Sequence, residues 1–414
     1  MEFSSESHER TNDHKRRGVY IFVFADVVVL EMLWLVLWLA LLCRATEEER
    51  RQQPYGGVPC EAGSCRPSFL IIGVGKCGTS SLYYYLVGHP KVVGASQKQL
   101  QWFDHQYHGN RFGREYLSHF RKSLGPGEMS GEASPGYAAY SQVPARVARH
   151  LPGVRILVIV RDPAARAYSA YHYNYLSVVS KSKALSFFDL ADAEMKFLRD
   201  KCGVNDKDMM DLSSQCYGSH DAESQAGEIA RRRVEGNFPR GQHPSLPRQN
   251  AHLWRQLLGR SLYALYLAHW YAFFPKEDIF VVCSERLGSE DSAPTELRAV
   301  ADFLGLDDFD FKDVVKLGKY NAGSSHKGYQ ALTTWDNLPK RAPMPPDARR
   351  LIDHFAKPFN DRLHANMLQR PCPNWSLSDQ EGQGKNANLT QDDTRQPSSS
   401  LSSSSSSGEF KMMS

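Results

Sequence analysis

Several features that would point directly to a chemistry are missing from this sequence. It has eight cysteines but no Cys-x-x-Cys pair and no His/Cys cluster at zinc-site spacing, so no metal site is expected. It lacks an excess of one charge sign: 50 Lys and Arg against 46 Asp and Glu leave a formal +4 over 414 residues. A general nucleic-acid binder carries a concentrated basic face, so that class is set aside, while a local basic pocket stays compatible. No clean apolar run of bilayer length is present. The nearest, residues 19–43, is broken by Asp26 and Glu31, and residues 32–43 are too few to span alone. Nor is there a Walker loop, in which the lysine is followed directly by Ser or Thr. In "FLIIGVGKCGTSSLYYYL", residues 69–86, Cys77 and Gly78 come after Lys76 instead.

What is present fits a large globular domain with additions. The chain is 41% hydrophobic and 23% charged, enough for one α/β domain plus extras. Residues 19–43 are the one membrane candidate, and the preceding Lys15, Arg16 and Arg17 place residues 1–18 in the cytosol. An uncleaved signal-anchor is the preferred reading, because the run is long for a signal peptide. A signal cleaved near Ala45 and a buried soluble helix are the rivals. Under the first two, the body faces the secretory lumen or the outside, where disulfides form. Cys202 with Cys216 is the first expected pair and Cys60 with Cys65 the second; Cys283, in "IFVVCSE", is expected to be a free thiol in a buried strand. The sequons at Asn374 and Asn388 agree with a lumenal glycoprotein. Residues 44–66 read as a stem, 67–370 as the folded body with an insertion at 178–247, and 371–414 as a polar, disordered tail.

Within the body, apolar runs alternate with helical patterns. "SFLIIGV", "VRILVIV" and "DIFVVCSERL" read as buried strands. "TSSLYYYLVGHP", a segment from Pro163, "TELRAVADFLGL" and "PDARRLIDHFAKPFNDRLHANML" read as helices, and "HLWRQLLGRSLYALYLAHWYAFF" as one long amphipathic helix. Strands leading into helices predict an α/β fold, a parallel sheet flanked by helices.

The loop after the first strand is built for an anion. Gly73, Gly75 and Gly78 let backbone amides turn inward. The helix N-terminus behind them adds partial positive charge. Thr79 and Ser80 add hydroxyls, and Lys76 stands where it neutralises a leaving oxygen. The plain alternative is a glycine-rich turn with an incidental lysine. The second strand runs into "VRDPAARAYSAYHYN", so a cation, Arg161, stands first at its end, with Ser169 eight residues on. A metal-dependent kinase wants an acid there. Arg and Ser suit a second phosphate held without metal, so the ligand should carry two anionic groups.

At this point the sequence resembles the sulfotransferases that use 3′-phosphoadenylyl sulfate (PAPS), most nearly the Golgi-type carbohydrate enzymes of the heparan- and chondroitin-sulfate kind. "GVGKCGTSSL" is similar to their 5′-phosphosulfate loop, K-x-G-T-S/T-x-L, through Lys76, Gly78, Thr79, Ser80 and Leu82. "VIVRDPAARAYSAYHY" is similar to the 3′-phosphate motif, R-x-P-x-x-R-x-x-S-x-Y, through Arg161, Pro163, Arg166, Ser169 and Tyr171. "HKGYQ" resembles the loop that closes over the 3′-phosphate, and the likeness spans residues 66–370. It implies PAPS as donor and no metal. It implies that Lys76, Cys77, Gly78, Thr79 and Ser80 hold the phosphosulfate, and that Arg161, Ser169, Lys327, Gly328 and Tyr329 hold the 3′-phosphate. Lys76 would stabilise the departing phosphate oxygen while a carbohydrate hydroxyl attacks in line. The likeness implies the Golgi membrane, and the basic flank at Lys15–Arg17 with the apolar run after it implies single-pass type II topology.

One departure matters. The heparan-sulfate relatives follow the first motif with a segment like K-E-I-x-F-F, whose Glu is the base. Here "KQLQWFDHQYH" keeps Lys98, Trp102 and Phe103 but puts Gln99 at the Glu position. An amide cannot take a proton as a base. Lys98, Gln99 and Trp102 are therefore expected to contact the acceptor, and His105, Glu132 and Asp104 are the candidate bases. Two rival functions stand: a P-loop kinase or NTPase, and a non-catalytic lumenal glycan-binding protein that keeps the fold.

Overall fold

The computed structural model describes residues 65–176, 184–202, 257–322, 330–340 and 342–373, together with Trp38, Cys60, Val204 and Trp375. At its centre is a parallel sheet of five strands: β1 Phe69–Gly73, β2 Val92–Gly94, β3 Met129–Ala133, β4 Arg155–Val160 and β5 Ile279–Cys283. Their order is β2-β3-β1-β4-β5. β1, β4 and β5 are buried along their whole length. That is why each reads as an unbroken apolar run rather than an alternating one. Register is plain at the centre, with Phe69 beside Arg155 and Leu70 beside Ile156.

Helices cover both faces. α1 Thr79–Val87 follows β1, α2 Val143–His150 precedes β4, and α3 Pro163–Ala170 follows β4. α3 starts as its sequence dictates, with proline in the first turn and the Asp162 carboxylate accepting from the Ala165 amide at 2.7 Å. α4 Phe187–Cys202 lies inside the segment expected to be an insertion, yet Leu190, Ala191 and Leu198 are buried, so its first part belongs to the core. α5 Tyr263–Trp270, α6 Ala293–Leu304, the short α7 Lys312–Lys316 and the final α8 Pro346–Asn366 complete the body. A two-stranded antiparallel ribbon, β6 Lys319–Tyr320 with β7 Leu332–Thr333, borders the sheet's carboxyl edge. Gly305 ends α6 in the left-handed conformation, as the sequence anticipated.

Three expectations need correction. The long amphipathic helix is, among the described residues, a helix of eight residues, Tyr263–Trp270, preceded by a separate turn at Gly259–Ser261. Cys283 is not a free thiol: it is bonded to Cys372, 89 residues away. Residues 371–373, expected to open the tail, therefore belong to the folded body. Cys372 and Trp375 are both buried, and the Gln369 side chain pairs with the Val281 amide and the Ile279 carbonyl of β5. The Cys60–Cys65 bond is present. Cys216, the partner expected for Cys202, lies outside the described residues, as do Asn374, Asn388 and residues 19–43 apart from Trp38. Among the described residues no helix is long and apolar enough to cross a membrane.

The Cys283–Cys372 bond closes a loop long enough to restrict the unfolded chain strongly. Removing it by Cys283→Ser with Cys372→Ser is expected to lower unfolding free energy by about 4 kcal/mol. Urea melts of the two proteins under non-reducing conditions check this; superimposed curves would mean that the bond carries no stability.

Candidate active site

A cavity of about 860 Å³ opens at the carboxyl edge of the sheet, walled by residues that follow β1, β3, β4 and β5. This is where the strand order places it: β1 is flanked by β3 on one side and β4 on the other, so the connections diverge there. Residues 75–81 from the first motif and Arg161, Arg166 and Ser169 from the second share its wall.

The loop after β1 depends on two unusual backbone positions. Gly78 sits at φ 106°, a conformation glycine adopts freely, and it directly precedes α1. Lys76 is left-handed as well, at φ 74°, which is costly for a residue with a side chain. The first turn of α1 has no side-chain cap and no acidic residue, so its amides face the cavity side uncompensated. The Lys76 ammonium rests 3.4 Å from the centre of the Tyr173 ring. The Cys77 side chain is buried, 3.7 Å from the Tyr263 hydroxyl, and burial pushes its pKa up to about 11.

The two motifs touch. Arg161 donates from Nη1 to the Lys76 carbonyl at 3.4 Å, and the Tyr263 hydroxyl donates to the Arg161 carbonyl at 2.8 Å. Arg166, 1% exposed, donates to the Gly75 carbonyl at 2.9 Å and to the Leu257 carbonyl at 2.8 Å. Asp162 is engaged by Arg349 at 2.8 Å and by the α3 cap. Arg349 and Lys319 join Arg161 on the cavity wall. Burial, and then the charge of Arg161, push the Lys319 pKa down. These two cations were not anticipated. Arg349 sits in a helix rich in charge, where nothing local distinguishes it, and Lys319 comes from a two-residue strand. Lys327, Gly328 and Tyr329 lie outside the described residues.

The other side of the cavity holds Lys98, Gln99, Gln101, His105, Gly136, Tyr140 and Arg260. Lys98 is 5% exposed, and burial pushes it down to about 7 against the opposing charge of Glu132. Glu132 is fully buried and is pushed up to about 7, chiefly by burial, despite accepting from Ser134 at 2.7 Å. It does not line the cavity, so as a candidate base it stands behind the wall. Trp102, expected to contact the acceptor, is a core residue, 3% exposed and packed against Phe103, Tyr107, Phe112 and Tyr116. His105 is on the wall, its side chain about one-third exposed. Its amide donates to Asp104 Oδ1 at 2.9 Å and its Nε2 lies 3.7 Å from Asp104 Oδ2. Burial pushes the Asp104 pKa up, with the His105 charge opposing. Gly136 turns over this carboxylate so closely that a Cβ there would meet Oδ2 at 2.4 Å.

Binding of a nucleotide with a 3′-phosphate is expected to depend on Arg161. Arg161→Ala should weaken 3′-phosphoadenosine 5′-phosphate (PAP) by about 10- to 100-fold, the worth of a hydrogen bond to a charged group. Calorimetry measures it, and an unchanged affinity would remove Arg161 from the phosphate site.

A glycine–lysine loop at one strand end and Arg and Ser at the next thus line one cavity at the carboxyl edge of a parallel α/β sheet. The chain matches the family described as sulfotransferase domain over residues 66–327, and it belongs to that family. It is 25% identical over 358 residues to the membrane-associated sulfotransferase kil1 of Dictyostelium discoideum, covering 78% of this chain and 70% of that protein. It is 28% identical over 243 residues to mouse heparan sulfate glucosamine 3-O-sulfotransferase 3B1, covering 58% of this chain and 46% of that one. It is 27% identical over 322 residues to human heparan sulfate glucosamine 3-O-sulfotransferase 6, covering 74% of this chain and 75% of that one. Against the mouse heparan sulfate glucosamine 3-O-sulfotransferases 3B1 and 3A1 the match spans only 46% of their length.

Proposed function

We propose that this protein transfers a sulfuryl group from PAPS to a carbohydrate hydroxyl. The observation that carries the reading is the meeting of the two motifs at neighbouring strand ends, where Arg161 reaches the backbone of Lys76. One ligand spanning that join needs a phosphate at each end. Thr79, Ser80 and the α1 amides hold the 5′ end. Arg161 and Ser169 hold the 3′-phosphate, with Lys319 and Arg349 beside them on the cavity wall. The donor supplies the sulfuryl group and its phosphate leaving group; Lys76 neutralises charge on that leaving oxygen. His105, with the Asp104 carboxylate 3.7 Å from its Nε2, takes the proton of the attacking hydroxyl. Gln99 and Lys98 orient the acceptor. No metal has a role in this scheme.

The kinase reading is disfavoured by Asp162. It is the carboxylate at the end of β4, where a kinase would hold Mg²⁺, and it is engaged by Arg349 and by the α3 cap. Thermal shift separates the two: PAP should raise the melting temperature and ATP with Mg²⁺ should not. The opposite pattern would replace the sulfotransferase reading with the kinase one.

We also propose a lumenal body on a single N-terminal anchor in the Golgi membrane, with Asn374 or Asn388 glycosylated. The Cys60–Cys65 and Cys283–Cys372 bonds support an oxidising compartment. In sealed microsomes the body should resist protease and its mass should fall with glycosidase. Digestion without detergent, with no glycosidase shift, would place it in the cytosol.

A further inference from the structure

The side chain of Lys76 is held by a residue that stands outside both motifs. Its ammonium lies 3.4 Å from the centre of the Tyr173 ring, over the electron-rich face. Tyr173 comes two residues after Tyr171, where the second motif ends, and it lines the cavity beside Asn174. A turn of π-helix, Tyr171–Tyr175, brings it there, closed by the Leu176 amide donating to the Tyr171 carbonyl at 3.0 Å. The turn follows α3 directly, and its wide winding sends residues two apart to opposite sides. Tyr171 and Tyr175 go inward. Both are buried and their rings stack at 5.5 Å. The Tyr171 hydroxyl donates to the Leu185 carbonyl and the Tyr175 hydroxyl accepts the Leu185 amide, each at 2.8 Å. Tyr173, between them, is only partly buried and faces the cavity.

The other end of Lys76 is fixed as well. Its backbone is left-handed, its carbonyl accepts from Arg161 at 3.4 Å, and the preceding Gly75 carbonyl accepts from Arg166 at 2.9 Å. Between the two anchors runs a flexible four-carbon stem, which would otherwise sample many rotamers. The kind of anchor matters. A carboxylate beside the ammonium would cancel the charge that a leaving phosphate oxygen needs. An aromatic face attracts the cation through its quadrupole and leaves that charge in place. Lysine and ring both stand on the cavity wall, so the contact is made where the charge is used. A tyrosine that served packing alone would be buried, as Tyr171 and Tyr175 are.

We infer that Tyr173 is a positioning residue for Lys76: its ring face holds the ammonium in the cavity at the leaving phosphate oxygen, without neutralising it. This rests on the reading of the site as one for sulfuryl transfer to carbohydrate. The test is transfer of radiolabelled sulfate from PAPS to a mixed pool of neutral and acidic oligosaccharides by the full chain, beside PAP calorimetry. Tyr173→Leu should lower kcat about 3- to 30-fold, the worth of a cation–π contact, with PAP affinity and the apparent acceptor KM within about threefold. Tyr173→Phe keeps the ring face and should recover most of that loss. Fluorinated phenylalanines placed at 173 should lower kcat in step with the number of fluorines, because each draws charge from the ring face. In a Lys76→Ala background, Tyr173→Leu should cost no further rate, since the two side chains act as one unit. An unchanged kcat in Tyr173→Leu, a loss confined to acceptor KM, a loss that Tyr173→Phe leaves in place, indifference to fluorination, or a full loss in the Lys76→Ala background would each overturn the inference. Failure of the unmodified protein to bind PAP or to label any oligosaccharide is a different result: it would remove the sulfotransferase reading, and this inference with it.

Discussion

Lys76→Ala should lower turnover by about 100- to 1,000-fold while changing PAP affinity far less. Charge builds on the leaving phosphate oxygen only as the sulfuryl group departs, so a cation aimed at that oxygen acts mostly on the transition state. The backbone around Lys76 is arranged for this. The residue is held left-handed between Gly75 and Cys77, and its ammonium lies over Tyr173, at the cavity rather than in the core. A variant with weak donor binding and near-normal kcat would show that Lys76 only tethers the donor. Donor calorimetry beside steady-state kinetics separates the two.

His105→Ala should lose about 100- to 10,000-fold in kcat, the usual worth of a general base. Asp104→Asn should fall between the two proteins, because the base stays but its orientation is lost. A near-normal rate in His105→Ala would move the role to Asp104. Gln99→Glu completes the comparison: a large gain would mean that this site is a weakened form of the family's, and no gain that it is rebuilt around another base.

The two motifs that the fold brings to one cavity were legible because their information is local. The glycines, Lys76, Thr79 and Ser80 fall within eight residues, and the strand before them announces itself by unbroken burial. Arg161 and Ser169 are as compact. The rest was hidden by distance. Arg260, Lys319 and Arg349 come from a turn, a two-residue strand and a charged helix, and only the folded chain brings them to one wall. Cys283 misled because a buried strand cysteine looks the same with or without a partner, and its partner lies beyond the last helix, where composition turns polar. Trp102 misled in another way: a family position suggested substrate contact, but a large aromatic amid Phe103, Phe112 and Tyr116 gains more from burial. The segment 178–247 was read as an insertion because it interrupts the strand–helix rhythm, whereas Leu190, Ala191, Leu198 and Glu194 of α4 are buried in the body.

The most direct test is transfer itself. Purified protein would be given PAPS with radiolabelled sulfate and a panel of glycans, and the product linkage mapped. The account predicts label on a carbohydrate hydroxyl with the unmodified protein and almost none with Lys76→Ala. Tight PAP binding with no label moved to any glycan would contradict it, and would leave a carbohydrate-binding protein that keeps the fold without the reaction.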